Sequence, residues 1–287
     1  MKIGFFGTGL MGFPMCEQLL AAGHSLTVFN RSREKAAPLA AKGAVIAEDS
    51  REVIKKSVCV MMMLTDHQAI NEVAFQNKAS DYQDRTFIQM GTIAPSHSRA
   101  LKERFESLGA DYFEAPVMGN MTHILKRELQ VMVGSTKEQF AKWKEVFSAF
   151  GPDPLYIGEV GKAAAMKLAL NHLIAAEITA FSASLGFIQK EGIEVETFMN
   201  VLRGSANYSK AFDNKLDRLI RRDYGSPNFS AQNLLKDISL FEEDAGKDGI
   251  ETICVESMME VIRRTMQAGY SDADYSALNE TVNPSKK

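Results

Sequence analysis

Cysteine is scarce in this chain, and what there is does not pair by spacing. Cys16, Cys59 and Cys254 are far apart and odd in number. No disulfide framework is expected, and the thiols read as reduced, buried or partly buried, in a cytosolic protein. The five histidines, at 24, 67, 97, 123 and 172, show no metal-ligand spacing with cysteine or carboxylate, which argues against a metal centre. Uninterrupted apolar runs fall short of the ~18 residues a membrane span needs. The opening "MKIGFFGTGLMG" enters a structured pattern at once, so neither a signal peptide nor a membrane anchor is expected. Basic charge is not in excess either: 33 Lys and Arg face 36 Asp and Glu, for a net charge of −3. That argues against a general affinity for nucleic acid or anionic membrane. Internal repeats and low-complexity segments are absent, and only the tail "NPSKK" is expected to fray.

What is present is an ordinary globular composition, 45% hydrophobic and 24% charged over 287 residues, long enough for two domains and a substantial core. Apolar, β-rich runs occur at 2–7, 25–30, 44–47, 57–63, 86–91 and 111–117, with further candidates at 129–135 and 154–158. Helical stretches such as "SHSRALKERFESLG" and "KEQFAKWKEVFSAFG" lie between most of them. Strands apolar throughout, alternating with helices, predict a mostly parallel, doubly wound sheet covered on both faces. From 161 onward the pattern is helical, starting with a stretch over 161–190 about 45 Å long. The expected organisation is an α/β Rossmann domain over 1–160 and an all-α domain over 161–287, joined by that long helix.

Gly7, Gly9 and Gly12 in "KIGFFGTGLMGFPMCEQLLAAGH" have the G-x-G-x-x-G spacing. Alone this spacing is weak. Here an apolar strand precedes it and an amphipathic helix follows, the context of a dinucleotide site. Leu10 and Met11 lie inside the same turn, at a helix start whose free N–H groups suit a pyrophosphate. The end of the second strand reads "FNRSREK", with Asn30 where an acid would hold the ribose 2′-OH of NAD. Arg31 and Ser32 follow and could hold a 2′-phosphate through charge-assisted bonds. NADP(H) is therefore the expected cofactor, while Arg33 and Lys35 read as surface charges opening the next helix.

"GKAAAMKLALNHLIAAE" raises a separate question. Lys167 and Asn171 sit four residues apart on a face that also carries Val160, Ala163, Ile174 and Ile178. An ammonium on an apolar stripe is costly unless paired or used. It either snorkels to the helix edge or does chemistry, and the residues alone leave both open.

Six motifs occur in order: "GFFGTGLMG", "MMLTD", "GTIAP", "EAPVMGN", "GKAAAMKLALN" and "FSAQNLLKD". Together they resemble the β-hydroxyacid dehydrogenase family over nearly the whole chain. The resemblance implies a Rossmann domain, an all-α domain, an active site in the cleft between them, and a homodimer or homotetramer. It implies that Lys167 is the catalytic lysine and that Asn171 orients the substrate or the lysine. Met63 and Leu64 would line the nicotinamide-ribose site, Thr92 would sit beside the nicotinamide, and Lys236 would reach towards the cofactor. Phe229 and Asp237 would face the substrate, and the turn Met118-Gly119-Asn120 would hold its carboxylate. Family members commonly have Ser-Gly-Gly at that turn, so only Gly119 matches, and the difference bears on the substrate class more than on the reaction. The chemistry agrees: a hydride delivered to a carbonyl leaves an alkoxide, and a lysine in a partly apolar setting can give it a proton. The expected substrate is a small carboxylate-bearing aldehyde or its hydroxy acid. Imine reductases share the architecture but commonly carry another residue in place of the lysine. A non-catalytic scaffold that keeps the cofactor fold would lack the lysine altogether.

Overall fold

The computed structural model describes residues 1–285. It forms two compact units, Met1–Lys167 and Leu168–Lys287. The division falls inside a single helix, seven residues past the expected boundary.

The first unit carries the strands β1 (Lys2–Phe6), β2 (Ser25–Phe29), β3 (Val45–Ile46), β4 (Cys59–Met62), β5 (Thr86–Gln89), β6 (Asp111–Glu114), β7 (Val117–Met118), β8 (Gln130–Gly134) and β9 (Leu155–Gly158). Its helices are α1 (Gly12–Ala21), α2 (Arg33–Ala36), α3 (Ser50–Lys56), α4 (His67–Ala74), α5 (Pro95–Ser107), α6 (Met121–Leu125) and α7 (Lys137–Phe147). Then α8 (Lys162–Lys190) leads into α9 (Val195–Arg203), α10 (Lys210–Arg221), α11 (Ala231–Lys247), α12 (Ile253–Thr265) and α13 (Leu278–Val282).

The strands from β1 to β6 pair in parallel in the order β3-β2-β1-β4-β5-β6. Chain direction across the sheet reverses between β1 and β4, the switch point where an open α/β sheet binds its ligand beyond the strand ends. β4 and β5 are buried at every position, because helices cover both faces of a parallel sheet. Two cores result. One packs Phe5, Met15, Leu19 and Trp143 against one face, and the other packs Phe6, Tyr82, Phe87 and Phe105 against the other.

The run expected as one strand over 111–117 is split. Pro116, which has no N–H for a ladder, stands between β6 and β7. β8 then returns antiparallel to both. The helical unit has no strand among its described residues, only a bridge between Ser230 and Asp274.

By length and composition α8 would pass for a membrane span. Its apolar side instead enters the helical core, where Ala175, Ile178, Phe181 and Leu185 are buried. Two expectations need correction. Cys254 is exposed, because the first turn of α12 turns Val255 inward and its neighbour outward. The tail is anchored at its first residue, since Asn283 is buried and its carbonyl accepts from Arg222 at 2.8 Å. Lys286 and Lys287 lie outside the described residues.

Candidate active site

The three glycines of the β1–α1 turn answer to different demands. Gly7 has φ +90°, and a Cβ on it would stand 2.3 Å from the Met63 carbonyl oxygen. A Cβ on Gly12 would stand 1.9 Å from the Gly7 carbonyl oxygen. The fold itself requires both. Gly9 is different: a Cβ there would meet nothing within 4 Å. Open space beside its Cα is what a backbone needs if a pyrophosphate is to lie against it. Leu10 next to it is half exposed, and Met11 precedes α1 without a side-chain cap, leaving the helix start to an anion. The Thr8 hydroxyl is buried beside this turn with no partner among the described residues. These features fit a dinucleotide.

Asn30 ties this turn to the end of β2. Its Oδ1 accepts from the Thr8 N–H at 2.9 Å and its Nδ2 donates to the Ser32 carbonyl at 2.8 Å. Arg31 is exposed, and among the described residues no hydrogen bond or ion pair engages its guanidinium. Ser32 does not cap α2 with its hydroxyl. Arg33, by contrast, is used on the surface in an ion pair with Glu48 at 2.7 Å.

Beyond β4, Met63 and Leu64 are half-buried. A Cβ on Gly91 would stand 2.4 Å from the Leu64 carbonyl oxygen, so the loops after β4 and β5 lie in close contact. Half-buried Thr92 follows that glycine. Behind the two loops His67 and His97 stack with ring centroids 4.4 Å apart, and burial pushes the His67 imidazole below its ordinary pKa.

The turn after β6 meets the start of α8. Half-buried Met118 points at Lys167, with Nζ 3.8 Å from Sδ. The thioether therefore faces the ammonium and does not point away from it. Gly119 has φ +135°, and a Cβ there would crowd Leu129 and His123. Asn120 is spent on its own helix: its Oδ1 accepts from the Thr122 N–H at 3.0 Å, and its N–H donates to His123 Nδ1 at 3.2 Å. The backbone N–H and the amide oxygen of Asn120 are thus engaged within the protein.

The helical unit holds its own group of buried polar side chains. Asn171 on α8 is buried and its Nδ2 donates to Asp237 Oδ2 on α11 at 2.6 Å. Since a carboxylate only accepts, the amide oxygen is turned the other way, and it has no partner among the described residues. Lys236 Nζ lies 2.6 Å from the other carboxylate oxygen of Asp237. Half-buried Phe229 packs edge-on against Tyr275 just before α11.

Residues 2–158 match the family model described as the NAD-binding domain of 6-phosphogluconate dehydrogenase, and 161–282 match that of the NADP-dependent 3-hydroxyisobutyrate dehydrogenase. The chain belongs to the β-hydroxyacid dehydrogenase family. Among relatives of that family, glyoxylate/succinic semialdehyde reductase 1 of Arabidopsis thaliana is 28% identical, covering 100% of both chains. The 3-hydroxyisobutyrate dehydrogenase of Mycobacterium tuberculosis, solved with L-serine, superposes with a TM-score of 0.89 at 22% identity, covering 98% of each chain. An imine reductase of Myxococcus stipitatus, solved with NADP+, gives 0.67 at 21% identity over 98% of this chain and 100% of its own. The chain is therefore an oxidoreductase of the NAD(P)-dependent hydroxyacid dehydrogenase class and takes a nicotinamide cofactor.

One residue escaped the sequence reading. Glu114, in the apolar strand "DYFEAPV", is 1% exposed and accepts through Oε1 from the N–H groups of Gly161 at 2.8 Å and Ala164 at 2.9 Å. The signal was there in the acid itself, since a lone carboxylate in a strand buried on both faces needs donors from somewhere.

Proposed function

We propose that this chain is an NADPH-dependent reductase of a small aldehyde or keto acid and, in reverse, a dehydrogenase of the corresponding hydroxy acid. The observation that carries the reading is Lys167: an ammonium half-buried on an apolar helix, beside the turn at Met118. NADPH supplies the hydride when bound. The backbone from Gly7 to Gly12 receives the pyrophosphate, and Arg31 and Ser32 grip the 2′-phosphate. Met63, Leu64 and Thr92 border the nicotinamide end, and Lys236 is a further cofactor-binding residue.

Lys167 gives its proton to the substrate oxygen as charge develops there, the task of a general acid. Asn171, one turn on, offers an acceptor to the substrate hydroxyl or to the ammonium, and Asp237 and Phe229 border the substrate. The turn at 118–120 presents a thioether where a hydroxyl would serve a compact carboxylate, which favours a longer or less polar substrate than glyoxylate. An imine reductase reading is disfavoured by the lysine. We also infer a homodimer or homotetramer, supported by Leu173 and Phe187, large apolar residues exposed on α8, and a cytoplasmic location.

The test is a panel of glyoxylate, succinic semialdehyde, tartronate semialdehyde and methylmalonate semialdehyde with NADPH and NADH, read at 340 nm. Oxidation of NADPH well above NADH with at least one of them is expected. The Lys167→Ala enzyme should bind NADPH normally but lose on the order of 10²–10⁴ in kcat. Retention of more than about a tenth of the wild-type kcat would sink the assignment.

A further inference from the structure

We propose that Glu114 is the positioning residue for Lys167, acting as a clamp between β6 and the start of α8. This rests on the reading of Lys167 as the proton donor. The first turn of any helix leaves N–H groups without partners, and a neighbouring Ser, Asp or Asn ordinarily takes them. Here the acceptor comes from 47 residues upstream: one carboxylate oxygen takes both the Gly161 and the Ala164 N–H. A local cap would stabilise the helix as well, but it would not tie the helix to the strand.

The tie is built for. Gly134 pairs with Glu114 across the antiparallel ladder, and a Cβ there would stand 2.5 Å from Glu114 Oε1. Gly161 is held at φ +99°. Any other residue at 134 would displace the carboxylate.

The consequence lies four residues downstream on one segment and three on the other. Met118 follows Glu114 and Lys167 follows Ala164, and their side chains meet at 3.8 Å. The stretches 114–118 and 161–167 are thus joined at both ends. One joint is the carboxylate and the other is the reacting ammonium beside the substrate turn. The second carboxylate oxygen is buried with no partner among the described residues. A carboxylate at a helix start is favoured by the aligned peptide dipoles, and the Ser98 hydroxyl on α5 also bonds this one. Its bonds to the start of α8 hold the two segments in register. Releasing the clamp lets α8 shift against the substrate turn, and a misplacement of ~1 Å can cost ~10²-fold in rate.

The experiment compares Glu114→Met, which removes the acceptor at similar volume, with Glu114→Gln, which keeps it. Saturating kcat, its pH profile and NADPH affinity by fluorescence are measured for each. Alongside them, the Lys167 signal of the reductively ¹³C-methylated protein is titrated by NMR and assigned by its loss in Lys167→Arg. In Glu114→Met kcat should fall about ten- to a hundredfold while NADPH affinity stays within about threefold, with the alkaline limb of the profile and the Lys167 titration displaced. Glu114→Gln should keep most of kcat. If Glu114→Met does not fold, Glu114→Asp, one methylene too short to reach both N–H groups, takes its place under the same criteria. A folded variant with wild-type kcat and an unmoved Lys167 titration overturns the proposal, as does a loss matched by equal loss of NADPH affinity. Should the wild type reduce nothing on the panel, the reductase reading fails, and the Lys167 titration alone still decides whether Glu114 controls that ammonium.

Discussion

The helical unit holds two buried carboxylates with lysines beside them, and they are finished to different degrees. Asp274 is fully buried and saturated: it accepts from Lys215 Nζ at 2.7 and 2.9 Å, from the Ser276 N–H at 3.1 Å and from its hydroxyl at 2.7 Å. Lys215 also sits 4.2 Å over the Tyr275 ring. Asp237 takes Asn171 on one side and Lys236 on the other, but the cluster ends in an amide oxygen that accepts nothing among the described residues. A buried acceptor left open costs free energy. The two clusters teach how to tell a polar group that holds the fold from one that waits for a partner. The first has both carboxylate oxygens hydrogen-bonded, and the second ends in an amide oxygen that accepts nothing among the described residues.

That contrast can be broken in order of expected effect. Lys215→Met leaves Asp274 buried and unpaired, so unfolding in urea should show a loss of about 3–5 kcal/mol. NADPH binding by the folded fraction should be unchanged, and removing Asp274 as well should recover much of the loss. Asn171→Ala should show the opposite split: a fall in kcat/KM of about tenfold or more, with a smaller stability loss than Lys215→Met. If Asn171→Ala loses more stability than activity, the open cluster is structural after all. Arg31→Ala sharpens the contrast on the cofactor side. It should weaken kcat/KM with NADPH about tenfold and barely touch NADH.

The smallest effect concerns Glu114, whose carboxyl is held above its ordinary pKa by burial. A raised native value means that the folded state binds the proton more tightly. That contribution is complete below the unfolded pKa and is lost as pH rises through the folded one. Glu114→Gln carries no such penalty. Its melting temperature relative to wild type should therefore climb as pH rises from about 4.5 towards neutrality. A flat difference would mean that the carboxylate is not strained by burial.

The sequence disclosed the sheet because period and composition are local properties. β1, β2, β5 and β8 lie within the apolar runs read from it, and the glycine turn stands where its spacing put it. It disclosed less of the site. Met118 facing Lys167, Asn120 spent on α6 and Glu114 spent on α8 are pairings across 2 to 50 residues, set by how β6, β7 and α8 pack. A motif says which residue types are available to a ligand. It does not say which of them the protein has already used on itself.

The place where the two compact units divide has a consequence for recombination. Because the division lies between Lys167 and Leu168, the halves are not separate modules that could be exchanged at a loop. A chimaera joined at residue 160 would inherit its lysine from one parent and the methionine and glutamate that meet α8 from the other. Exchange within this architecture preserves these contacts only if the crossover lies beyond the first turns of α8, inside a helix, where a junction is hardest to make.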